Sequence, residues 1–140
     1  MTAQETPHWE RVVLTVDPGA SDTVLPLNLA QNVPLTHTPK VGTEYEVANG
    51  GTVVNLGERQ AEMKLQEEDR TSMMMSFQVV EVHKPLLAVS RLTEAGHKVM
   101  FDKEAPHILL STGRKVPMRC NVGTCEVDVW IFNPGFAGPR

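Results

Sequence analysis

One carboxylate, Asp17, closes the apolar β-prone run Val13-Leu14-Thr15-Val16 and is followed by Pro18-Gly19-Ala20-Ser21. A strand that ends on an aspartate and turns at a glycine frees backbone N–H groups to face the carboxylate, and such a group activates water when a second carboxylate sits opposite. One aspartate does not perform that chemistry alone. Asp22, Asp69, Asp102 and Asp128 are followed by Thr-Val, Arg-Thr, Lys-Glu and Val-Trp, so no second Asp-X-Gly occurs in the chain. The other half of a working site would come from another copy of the molecule. Two plainer readings stand beside this one. Asp17 can be a simple turn former at a strand end, and Ser21 can be a nucleophile only with a histidine base that no sequence context supplies.

The elements that would position Asp17 are read from spacing. Strand patterns dominate, separated by Gly, Pro and Asn, which is the layout of a small all-β barrel or sandwich and not of a βαβ fold. Residues 8–16 lead to the turn, an apolar stretch resumes at 23–29, and Pro26, Pro34 and Pro39 break it into loop. Strand patterns at 44–48 and 52–56 flank Asn49-Gly50, the strongest short hairpin signal in the chain. Residues 59–65 alternate polar and apolar, 66–70 form an exposed turn, and 73–82 are strand-like. Met73-Met74-Met75 can be a soft ligand cluster, but alternate members of a strand face opposite sides, so core filling is the expectation. Residues 90–95 form the one helix expected, closed by Gly96 at its C-terminus. Strand patterns follow at 98–102, 107–110, 116–118 and 126–131.

Residues 1–8 read as an N-terminal extension, 9–132 as one domain and 133–140 as a flexible Pro/Gly-rich tail. With 140 residues, 41% hydrophobic, there is room for one core and one lobe. A net charge of −4 and 5% aromatic residues argue against nucleic-acid binding, which needs phosphate-neutralising cations and stacking platforms. Lys40, Arg59, Lys64, Arg91 and Arg119 are scattered as on a solvated surface. No apolar run approaches the roughly 20 residues that span a bilayer, so no membrane partner is expected. Cys120 and Cys125 can bridge a short hairpin, but without a signal peptide reduced thiols are the expectation. His83, His97 and His107 lack metal-site spacing, so neither metal nor cofactor is expected.

Three stretches, in order, resemble the retropepsins, the aspartic proteases of retroviruses and long-terminal-repeat retrotransposons, and among them the copia-type branch. They are Val16-Asp17-Pro18-Gly19-Ala20-Ser21; Val47-Ala48-Asn49-Gly50 followed by Asn55-Leu56-Gly57; and Pro85-Leu86-Leu87-Ala88-Val89-Ser90-Arg91-Leu92-Thr93-Glu94-Ala95-Gly96-His97-Lys98-Val99-Met100-Phe101. The resemblance implies an all-β acid-protease barrel with one short helix and one lobe per chain, active as a homodimer on an extended polypeptide. It implies Asp17 as the catalytic residue, with Pro18, Gly19, Ala20 and Ser21 as its turn. Ala48, Asn49, Gly50 and Gly51 would form a flap, and Leu86, Leu87 and Ala88 would support the catalytic loop. In the dimer the two Asp17 carboxylates, about 3 Å apart, would share one proton, one member taking a proton from attacking water while the other donates to the scissile carbonyl oxygen. Residues 9–12 and 127–131 would interleave with the partner's, or are ordinary edge strands.

Pro18 departs from the family pattern, where a Ser or Thr hydroxyl hydrogen-bonds across the dimer. Proline supplies neither hydroxyl nor N–H. Losing one net hydrogen bond per subunit weakens association by roughly 1 to 3 kcal/mol, on the order of one to two decades in Kd. The leading expectation is an aspartic endopeptidase processing a retrotransposon-type polyprotein, located in the cytoplasm or within a retroelement particle, whether free or cut from a longer chain. The alternative is a weakened or inactive β-domain that dimerises or binds peptide.

Overall fold

Strict alternation of inward and outward side chains builds the molecule, whose computed structural model describes residues 7–47 and 50–137. In β1 (Trp9–Asp17) Val12, Leu14 and Val16 are buried, and in β11 (Thr124–Phe132) Cys125, Val127, Val129 and Ile131 are buried. In β4 (Thr52–Lys64) every odd position from Asn55 to Met63 faces inward. This period of two is the signature of strands with one face on a core. The described residues are thus mostly β, with one helix, α1 (Val89–Glu94), capped by Ala95 and ended at Gly96 with φ 92°. The helix lies one residue earlier than the sequence pattern predicts.

The larger sheet also contains β2 (Val24–Leu25), β3 (Glu44–Glu46), β5 (Met73–Val80), β6 (Leu86–Ala88) and β10 (Arg119–Asn121), in the order β10-β11-β1-β6-β2-β5-β4-β3. An extra pairing of Trp130 with Lys64 and Ile131 with Met63 joins β11 back to β4. A second sheet, β7 (Lys98–Met100), β8 (His107–Leu109) and β9 (Lys115–Pro117), delivers Ile108 and Val116 to the same core as Leu14, Met63, Phe77 and Leu87. The methionine run behaves as strand alternation requires: Met75 is buried, Met73 packs on the core edge and Met74 is 66% exposed.

Four features differ from the sequence reading. First, the terminal strands are not sheet edges, because β1 lies between β11 and β6, pairing with β11 from Trp9↔Phe132 to Val16↔Cys125, and β11 lies between β10 and β1. Second, the segment after β11 is tied down. Asn133 is buried, its Oδ1 accepts from Asn32 N–H (2.8 Å) and its Nδ2 donates to Glu10 Oε1 (3.0 Å), while Phe136 O accepts from His8 N–H (2.9 Å). Third, Cys120 and Cys125 form a disulfide. They stand opposite each other across the β10–β11 hairpin at a Cα separation of 4.0 Å, a separation that antiparallel pairing imposes and that sequence spacing alone left open. Fourth, Arg59 is buried rather than solvated. It occupies an inward position of β4 and donates to Val33 O (2.6 Å) and Leu27 O (3.3 Å), pinning the proline-broken loop over the sheet.

Gly57 sits at a bulge where the β4–β5 register slips between Asn55↔Val80 and Gly57↔Val79. Its φ is 148°, and a Cβ there would meet Leu35 Cδ1 at 2.8 Å and Thr36 O at 3.1 Å. Thr36 and Glu58 exchange two backbone hydrogen bonds at that point, so the loop cannot retreat without breaking them. Gly57→Ala is therefore expected to lower stability by about 2 kcal/mol or more, read as a fall in urea midpoint.

Candidate functional site

Asp17 is held from both flanks. On one side β6 runs parallel to β1, with Thr15↔Leu86, Val16↔Leu87 and Asp17↔Ala88 in register, and on the other lies β11. Leu87 and Ala88 are fully buried beneath the turn, while Leu86 is half-buried. Past the turn the chain returns beside β6, where Ala88 N–H donates to Thr23 Oγ1 (3.1 Å) and Gln78 N–H to Thr23 O (2.8 Å). The apolar run predicted to support the Asp17 loop therefore lies directly alongside it.

Within the turn, Gly19 N–H donates to Asp17 Oδ1 at 2.8 Å, the contact expected of a glycine turn facing a carboxylate. Gly19 does not use left-handed backbone, and an added Cβ would stand 3.5 Å from that oxygen, an ordinary contact. The protomer itself does not require glycine here. Pro18 and Ser21 are exposed.

The Asp17 turn opens onto a cleft of about 400 Å³. Asp17, Gly19, Ala20, Ser21 and Asp22 of the turn line it together with Glu44, Tyr45, Glu46 and Val47 of the β3 arm of the hairpin and with Val24, Val53, Val80, Val82 and Leu86. The hairpin pairs Tyr45↔Val53 and Glu46↔Thr52, with Val47 N–H donating to Gly51 O and Gly50 N–H to Val47 O. Ala48 and Asn49 lie outside the described residues. Two sequence features predicted separately, the turn and the hairpin, thus line one groove. Among the described residues lining it there is no histidine to serve Ser21 as a base. Among the described residues no three His, Cys, Asp or Glu gather as metal ligands would, and no helix is long and apolar enough to cross a membrane.

Asp22 is the residue that sequence reasoning missed. Its carboxylate, 9% exposed, accepts from Arg91 of α1, from Lys40 Nζ (3.0 Å) and from Tyr45 Oη (3.2 Å). Tyr45 Oη in turn accepts from Asn55 Nδ2 (3.0 Å), which also donates to Gln78 Oε1 (2.8 Å). One side chain therefore ties the turn, the helix and the hairpin base. Its partners lie 18, 23 and 69 residues away, so no local pattern announces it. Burial pushes the Asp22 carboxyl up, but the hydrogen bonds and charges of Arg91 and Lys40 outweigh it and hold it below the usual carboxylate range. Burial pushes the Tyr45 hydroxyl up, and the Asp22 charge adds to this.

Comparison with family models, curated proteins and solved structures finds no match.

Because its folded value is depressed, Asp22 contributes stability that is complete above the ordinary carboxylate value of 3.8 and is lost as pH falls through the lower folded value. Asp22→Asn is expected to cost about 1 to 2 kcal/mol at neutral pH, a figure limited by the partial exposure of Lys40 and Arg91. The gap between wild type and variant in denaturant titrations is expected to narrow below pH 3.8.

Proposed function

We propose that the chain is a retropepsin-like aspartic endopeptidase with one lobe per protomer, whose water-activating pair consists of Asp17 from two identical copies. The observation that carries this reading is the groove that the Asp17 turn and the β3–β4 hairpin line together. The seating of β6 between β1 and β2, directly beside the Asp17 loop, supports it further.

In this reading each residue has a defined task. Gly19 N–H fixes Oδ1, so the carboxylate is oriented instead of rotating freely. The ionised member of the pair takes a proton from water as it attacks the scissile carbonyl, and the protonated member donates to the carbonyl oxygen. No covalent intermediate forms. Gly19 leaves the approach to the carboxylate free of side-chain bulk, which gives the glycine a purpose that the protomer's own packing does not. β3 ends the order of the large sheet, so an extended polypeptide in the groove can add beside it as a further strand, with the hairpin closing over it. The substrate class is a polyprotein of retrotransposon type.

Pro18 favours a second reading, a β-domain that keeps the fold and a peptide groove but has weakened or lost turnover, because it supplies no hydroxyl to bind across the pair. The two readings separate on turnover. In a cleavage assay on an unstructured polypeptide, Asp17→Asn is expected to reduce activity by on the order of a thousandfold, and a statine-type inhibitor to block the parent. A parent with no turnover whose peptide affinity survives in Asp17→Asn would establish the binding reading instead. Pro18→Ser is expected to raise cleavage at low protein concentration, by up to the roughly one to two decades in association that the lost hydrogen bonds represent.

A further inference from the structure

The groove presents a free sheet edge as well as a turn. All four residues from Glu44 to Val47 line it. Consecutive residues of a strand point to opposite faces, so a strand that lines a cavity with all of them borders it by its edge. β3 is the last strand of the larger sheet, and among the described residues it pairs with β4 alone. Asn55 N–H donates to Thr43 O (2.8 Å) and Val47 N–H to Gly51 O (3.0 Å), which makes Thr43↔Asn55, Tyr45↔Val53 and Val47↔Gly51 the hydrogen-bonded pairs of that ladder. The N–H and C=O groups of Glu44 and Glu46 therefore point away from β4, to the open edge. An extended polypeptide laid there meets donors and acceptors already spaced for a strand.

The side chains along this edge define the kind of polypeptide it suits. Tyr45 reaches Asp22 on one face of β3, so Glu44 and Glu46 stand together on the other, both exposed. Among the described residues neither carboxylate has a hydrogen bond or an ion pair. No Lys, Arg or His among those residues lines the groove, and the cations that neutralise Asp22, Lys40 and Arg91, reach it from outside that lining. Residues of an added strand that lie directly opposite Glu44 and Glu46 project on the same face as the glutamates, where opposite charges attract across the pair. The residue between them projects on the face of Tyr45 and Val53, and Val24, Val80 and Leu86 give the groove the lining that an apolar side chain needs there.

We propose that the β3 edge of the groove selects an extended segment with the pattern basic, apolar, basic, in which Glu44 and Glu46 each pair with one Lys or Arg side chain. Given the reading of the groove as a polypeptide site, on which this inference rests, that pattern defines its substrate class. A second β3 is excluded from the same edge, because glutamate would meet glutamate. The chain offers no such segment of its own, since none of its 13 Lys and Arg residues stands two positions from another.

Fluorescence anisotropy on the full chain carrying Asp17→Asn, which holds a peptide without cutting it, tests the pattern with short labelled peptides that differ only in a central Lys-Val-Lys, Ser-Val-Ser or Glu-Val-Glu. Lys-Val-Lys is expected to bind about tenfold more tightly than Ser-Val-Ser at low ionic strength, as two exposed ion pairs allow, and Glu-Val-Glu more weakly than either. The difference is expected to shrink in about 1 M salt, where charges are screened beyond roughly 3 Å. Adding Glu44→Lys and Glu46→Lys together is expected to reverse the order with the urea midpoint unchanged, because neither side chain has a partner to lose. Equal Kd for the three peptides, no binding of any of them, or an order that charge reversal leaves intact overturns the proposal and leaves the glutamates as protection of a bare sheet edge. Cleavage of the same peptides by the parent chain separates this inference from the reading beneath it. Equal cleavage of all three removes the charge selection and keeps the peptidase, whereas charge-selective binding without cleavage keeps the selection and removes the peptidase.

Discussion

Pairing of β1 along both of its edges is the constraint on which everything else in the molecule depends. β11 lies along one edge from Trp9 to Val16, and β6 lies along the other at the last three residues, so Asp17 cannot shift without breaking ladders on two sides of the strand that carries it. Hydrogen-bonded strands specify register strongly when one face is buried, because a slip of one residue would turn Val12, Leu14 and Val16 out to solvent. The apolar face of β1 thus fixes the position of a polar residue that contributes nothing to the core.

The second constraint is ionic. Asp22 stands five residues beyond Asp17 and faces three partners, one in the loop before β3, one in β3 and one in α1, none of them local in sequence. Two of those partners are cations that keep partial contact with water, so the carboxylate is neutralised where it is buried while the cations are not fully desolvated. The arrangement couples the turn to the hairpin base opposite. A groove lined by both the turn and the hairpin needs such a cross-link if its width is to be defined.

What was legible in the sequence follows from the range of the interactions involved. The strand alternation, the helix ending at Gly96, the Asn49-Gly50 hairpin and the Asp17 turn with Gly19 facing it are set by residues within a few positions of one another, and they lie where the pattern put them apart from Ala48 and Asn49, which are not described. Asp22, Arg59 and the Cys120–Cys125 bridge depend on which strands come together, and composition carries no trace of that. Arg59 is instructive: in an alternating stretch a cation reads as the polar member, yet the phase set by Ala61 and Met63 puts it inside. The terminal strands show the same limit, since alternation marks a strand but does not name its partner.

The bonds between Glu10, Asn133, His8 and Phe136 have a topological consequence. The two ends of the domain leave it side by side, at the end of β1 remote from Asp17. Nine residues of extended chain separate that exit from the carboxylate, roughly 25 Å. Chain that continues beyond His8 or Phe136 sets out that far from Asp17, and it reaches the carboxylate of its own protomer only by retracing the length of β1.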